Sequence, residues 1–178
     1  MLFNGDFYAE NEYSLYFSRQ ATPEERLKND RERYNRFAIS LNPLEAWLIV
    51  NGHSDCINQK SLTIFRGPIY IHATRKCTPM AFGFIYKKIA GISDEIAKQV
   101  PTLDHINRNL AGGIVGKVEI DKMFMPTPKD FTSFWHTEGS AGWHVCNATS
   151  FDRIPCKGVP AIFPITGIVN QTLDDLKL

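Results

Sequence analysis

The sequence predicts an α+β fold: a small mixed β-barrel flanked by short helices, preceded by an N-terminal helical arm. Three observations carry this reading. Short segments of alternating apolar and polar residues outnumber the helical ones. The helical segments are brief, open on capping residues and lie between strands. The strand–helix–strand pieces are too irregular for a doubly wound sheet, and no glycine-rich phosphate loop follows a strand.

Residues 1–36 read as an arm with one charged helix. Thr22-Pro23-Glu24-Glu25 supplies a cap, a first-turn proline and a capping-box glutamate, after which Leu27 and Tyr34 form only a narrow apolar pair. The domain is placed at 37–170, with a tail at 171–178. Phe37–Leu41 alternates as a strand. Asn42-Pro43-Leu44-Glu45 opens a helix that Gly52 ends in a left-handed position. Leu62–Phe65 and Ile69–His72 are expected as strands around the turn Arg66-Gly67-Pro68. Thr78-Pro79 starts a helix reaching Gly91, weakened by Gly83, and Ser93–Lys98 and Thr102–Leu110 are short helices split by Pro101. Ile114–Phe124, Trp143–Ala148 and Ala161–Val169 complete the strands, with Ala111-Gly112-Gly113 as a turn.

Composition narrows the function classes. The chain has 178 residues, 43% hydrophobic and 22% charged, which suits one domain with an appendage and excludes a disordered chain. The longest apolar run, Ala46–Val50, is far short of the roughly 20 residues a membrane span needs. Met1–Asp6 shows no secretory signal. The four cysteines, separated by 21, 69 and 10 residues, match no close-pair zinc pattern. The expectation is a cytoplasmic protein with free thiols and neither metal nor cofactor.

The 20 basic and 19 acidic side chains leave a formal charge of +1, against a globally basic nucleic-acid binder. Their distribution is uneven. Between Asp55 and Asp94 no acidic residue occurs, yet Lys60, Arg66, Arg75, Lys76, Lys87 and Lys88 do, interleaved with Phe65, Tyr70, Phe82, Phe84 and Tyr86. Cations neutralise phosphates and aromatic faces stack on bases, so the mixture suits nucleic acid. A solvated face with ordinary core aromatics is the competing reading.

Ile39-Ser40-Leu41-Asn42-Pro43 followed by Ala46–Gly52 resembles the opening of an ASCH domain. Arg66-Gly67-Pro68 with Ile69–Thr74, Gly113–Val118, Gly142–Val145 and Pro155–Phe163 resemble its later segments, in order, over about residues 37–165. The resemblance implies a PUA-like β-barrel that binds RNA or modified bases in a cleft, with some members acting as hydrolases. The enzymes of that family carry Gly-x-Lys-x-x-Glu or Thr-x-Arg from the glycine ending the first helix. Here Ser54 stands for the lysine, Ile57 for the glutamate or threonine, and Gln59 for the arginine. Ser54 lacks the positive charge, Ile57 can neither attack nor accept a proton, and Gln59 loses the bidentate cation. The remaining rim of Ser54, Asn58 and Gln59 suits recognition better than bond breaking.

The candidate nucleic-acid-binding residues are therefore Ser54, Asn58, Gln59, Lys60, Arg66, His72, Thr74, Arg75, Lys76 and Trp143. His72 and Thr74 share a strand face, with Arg75 and Lys76 at the mouth of the cleft. If the chain is an enzyme, His72, Thr74 and Lys76 are left to carry the chemistry. His136, Glu138 and His144 are the one local set rich in metal-ligand types, but a glycine-containing loop rather than a helix spaces them. Trp47 is expected in the core, Trp143 in core or cleft wall, and Trp135 exposed. The first expectation is a binder of RNA or single-stranded nucleic acid, including a modified base. The rivals are a ribonuclease or an amidohydrolase on a modified nucleoside, and an interaction protein that docks a partner or second copy through residues 1–36.

Overall fold

The computed structural model describes residues 36–127, 133–160 and 162–178. The arm expected before Arg36 lies outside the described residues. The rest is α+β: six strands form one curled, mixed half-barrel sheet accompanied by five short helices.

In chain order these are β1 (Phe37–Leu41), α1 (Pro43–Val50), β2 (Cys56–Gln59), β3 (Gly67–Ala73), α2 (Pro79–Ile92), α3 (Asp94–Gln99), α4 (Leu103–Asn109), β4 (Gly113–Phe124), β5 (Ala141–Pro155), β6 (Ile162–Pro164) and α5 (Gly167–Asp175). The strand order is β2-β5-β4-β3-β1-β6. β1 and β3 pair in parallel, with Ser40 opposite His72, and every other pair is antiparallel. Register shifts at three places along β4 and β5 bend the two long strands, as bulges do when they curl a sheet.

The helix boundaries follow their caps. The Asn42 side chain accepts from the Leu44 amide, Thr78 from Ala81, Ser93 from Ile96 and Thr102 from His105. Gly52, at φ +71°, takes the expected left-handed position after α1. α1 lies so close to the sheet that a Cβ on Gly116 would sit 2.5 Å from Val50 Cγ1. One core cluster gathers Leu44, Leu48, Cys77, Ile89, Ala97 and Ile106 beneath the helices. Another gathers Ala38, Tyr70, Ile114, Ile154, Phe163, Ile165 and Leu173.

Two expected strands differ. Leu62–Phe65 joins no strand ladder among the described residues, because local side chains satisfy its backbone instead. Thr63 Oγ1 accepts from the Phe65 amide, and Arg66 Nη1 donates to the carbonyls of Thr63 and Phe65. The strand lies one step earlier, at Cys56–Gln59. Ala161–Val169 divides into the short β6, whose Pro164 suits a sheet edge, and the start of α5. α5 crosses residue 170, where the domain was expected to end, and buries Leu173 completely. Arg36 also belongs to this body: its guanidinium donates to Tyr70 Oη at 3.0 Å, Asn170 Oδ1 at 3.0 Å and Asp174 at 2.6 Å. Trp47 is half-buried against the His53 ring rather than fully in the core. Among the described residues no helix is long and apolar enough to cross a membrane.

Candidate functional site

Two cavities framed by the sheet and its helices collect the candidate residues. The first, about 640 Å³, lies between α1, β2, α2 and the segment that enters β5. Leu41, Leu48, Ile49, Ile57, Ile85 and Trp135 give it mainly apolar walls, while Glu45, Lys87, Lys88 and Thr137 bring the polar atoms.

Glu45 reaches this cavity because the capping box holds it in the first turn of α1, where its carboxylate accepts a bond from the Asn42 backbone. Although Glu45 keeps solvent-accessible surface, desolvation by the protein around its carboxyl raises its proton affinity above that of an ordinary glutamate, and the Asn42 amide and then Lys88 only partly offset this. Desolvation likewise lowers the pKa of Lys88. The Lys88 ammonium donates to the Trp135 carbonyl at 3.0 Å and to Thr137 Oγ1 at 2.9 Å. Phe84, 76% exposed, stands at the rim.

The wall at residues 133–140 is built by side chains. Asn58 Nδ2 donates to the Trp135 carbonyl, and its Oδ1 accepts from the Thr137 amide and Ser140 Oγ. Ser133 Oγ donates to the Asp55 carboxylate and accepts from the Trp135 amide. Trp135 is thereby half-buried, not exposed as expected.

The second cavity, about 740 Å³, opens under residues 156–160 and is lined by Ser40, His72, Thr74, Arg75, Gly112 and those loop residues. His72 is 3% exposed, and burial lowers its pKa. Its Nδ1 meets Ser40 Oγ at 3.1 Å and its Nε2 meets the Cys156 carbonyl at 3.1 Å.

The structure thus divides the residues singled out from sequence. Ser54 and Asn58 line the first cavity; His72, Thr74 and Arg75 line the second. Gln59, Lys60, Arg66 and Lys76 line neither, and Arg66 folds back on its own backbone. Trp143 is buried on β5, with its indole N–H donating to the Ser61 carbonyl, and it too lines neither cavity. The six cations of the acid-free window do not converge on one cleft.

At the positions of the family's motif, Ser54 is buried and bonded to the Cys56 backbone, and Ile57 is 3% exposed. The Cys56 thiol, pushed up to about 12 chiefly by burial, is not a thiolate at neutral pH. His144 contacts the Asp121 carboxylate while His136 bonds the Ser140 carbonyl, so the metal-ligand types separate. Among the described residues no three potential ligands gather around a point.

Sequence reasoning passed over Glu45, read only as a capping residue, and the role of Thr137. Lys87, Lys88 and Phe84 stood in the cation and aromatic window, so their signal was present. A scan against protein-family models finds no match for this chain, and a search of curated proteins likewise finds none.

Proposed function

We propose that this chain is an ASCH-like module that binds single-stranded nucleic acid, preferably RNA, and receives one base, plain or modified, in the first cavity. The supporting observation is the combination of apolar walls, the Trp135 face and the exposed Phe84 rim around Glu45, a carboxyl with raised proton affinity. Such a carboxyl can donate to or accept from a base edge, aromatic faces stack on bases, and Lys87 at the mouth meets a phosphate. The unreactive Ser54, Cys56 and Ile57 favour recognition over cleavage.

Titration with labelled single-stranded RNA at several salt concentrations tests this. The expectation is saturable binding with a shallow salt slope, about 0.7 per phosphate contacted. Phe84→Ala weakens it by about tenfold, the loss of one stacked base, without changing stability. Absence of binding at low salt, or binding indifferent to both salt and Phe84→Ala, overturns the reading.

One observation favours a hydrolase as the second reading. Lys88, with its lowered pKa, lies 2.9 Å from Thr137 Oγ1 in the same cavity, the geometry of a hydroxyl nucleophile beside an amine base. Turnover of RNA or acylated cytidine that disappears in both Lys88→Met and Thr137→Val supports it. Absence of turnover by the unaltered protein removes it.

A further inference from the structure

The second cavity contains a hydrogen-bond chain whose protons can be counted. Ser40 Oγ donates to the Val159 carbonyl at 2.7 Å, which uses its one hydrogen. The same oxygen lies 3.1 Å from His72 Nδ1, so that nitrogen must be the donor. The Cys156 carbonyl, 3.1 Å from Nε2, can only accept, so Nε2 must also donate. All three contacts hold together only when the ring carries both protons. A neutral ring loses one of the three: with the proton on Nδ1, Nε2 faces the Cys156 carbonyl without a hydrogen, and with the proton on Nε2, the Ser40 hydroxyl serves either Nδ1 or the Val159 carbonyl.

An imidazolium buried to this degree needs a counter-charge. Among the described residues no carboxylate lines the cavity. Arg75 and Lys157 do, and neither cationic side chain has an ion-pair or hydrogen-bond partner among the described residues. Cys156 is the other titratable lining group, and burial keeps its thiol neutral. From β1 the ring meets Ser40, and from β6 the edge of Phe163, both uncharged. The loop lies directly on the ring: a Cβ on Gly158 would sit 2.3 Å from His72 Cε1. Every charged side chain among the described lining residues is therefore positive, and the polar framework is complete only with one more positive charge.

We propose that the cavity under residues 156–160 is a phosphoryl-anion site formed by Thr74, Arg75 and Lys157, and that the anion binds together with one proton taken up by His72. The Thr74 hydroxyl and the two cations supply the donors, and the imidazolium fastens the loop directly at Cys156 and, by way of Ser40, at Val159. This site is separate from the base-binding cavity and does not depend on its occupant.

The test is calorimetric titration of the full chain with sulfate, a tetrahedral anion that does not itself titrate near neutrality, and with inorganic phosphate. The expectation is saturable binding that strengthens by up to about tenfold per pH unit as pH falls through the ring's titration, the slope for one proton. Arg75→Ala with Lys157→Ala weakens sulfate binding by at least about tenfold. In the unaltered protein, sulfate should shift the ¹⁵N resonances of both His72 ring nitrogens to their protonated positions, a readout that requires no variant to fold. A 5′-phosphorylated RNA oligomer and its 5′-hydroxyl counterpart identify the source. Displacement of sulfate by both assigns the site to backbone phosphate, and displacement by the phosphorylated oligomer alone assigns it to a terminal phosphomonoester. Absence of saturable sulfate and phosphate binding, binding unchanged in the double variant, or a His72 ring that stays neutral at saturation overturns the proposal.

Discussion

Asn58 Nδ2 donates to the Trp135 carbonyl at 2.9 Å while its Oδ1 accepts from the Thr137 amide at 2.7 Å, so one β2 side chain holds the wall of the first cavity from both sides of His136. Lys88 reaches the same Trp135 carbonyl from α2. The wall therefore depends on Asn58, Lys88 and, through Ser133, Asp55, side chains far from it in sequence.

Asn58→Ala removes both of its bonds to this wall and a third, from Ser140 Oγ, and leaves backbone groups to find water. The expected cost is about 1–3 kcal/mol in urea unfolding, with weaker RNA binding than the stability loss alone produces. Asn58→Asp keeps the acceptor but not the donor and should fall between the two.

Arg36 ties the first residue of the body to its last helix, through Tyr70, Asn170, Asp174 and the Leu178 carbonyl. Arg36→Ala should cost about 2–3 kcal/mol, because it leaves several half-buried acceptors unpaired. Asp174→Ala should cost under about 1 kcal/mol, since that carboxylate is 58% exposed and water screens it. Equal losses in the two variants would show that the exposed ion pair dominates.

Two glycines should respond oppositely to alanine. At Gly116 the added Cβ would lie 2.5 Å from both Val50 Cγ1 and the Thr149 carbonyl, so α1 must move and about 1–3 kcal/mol is lost. At Gly83, inside α2, the Cβ meets nothing within 4 Å, and the substitution should stabilise by about 0.4–1 kcal/mol. Thermal unfolding of the two variants checks both signs.

The Glu45 carboxyl holds its proton more tightly in the folded chain than in the unfolded one, so folding takes up a proton there. Its contribution to stability is full below the ordinary glutamate value of about 4.5 and is lost as pH rises through the higher folded value. Glu45→Gln retains a capping-box acceptor and removes this dependence. Its stability curve should be flatter on the acid side and at least as high as the unaltered protein's at neutral pH. A variant whose curve falls with pH as steeply as before would assign the slope to another group.

Much of the fold was legible because its signals are local. A cap, a proline and a helix stop lie within a few residues of what they control, which is why α1 to α4 begin on Asn42, Thr78, Ser93 and Thr102. Alternation revealed β1, β3 and β4 for the same reason. It misled at Leu62–Phe65, where Thr63 and Arg66 satisfy the backbone without a sheet. It misled again after Pro164, where Leu173 draws the chain into a helix over the core.

The α+β class, the helix starts, the acid-free window and the uncharged residues Ser54, Ile57 and Gln59 can all be read along the chain. Which of those residues meet depends on how the strands and helices pack. That packing sent Lys88 to one cavity and Arg75 to another, turned a capping glutamate into a cavity wall, and set His72 between Ser40 and Cys156. Strand register and long-range side-chain bonds made those choices, and each joins residues whose separation along the chain carries no periodic signal.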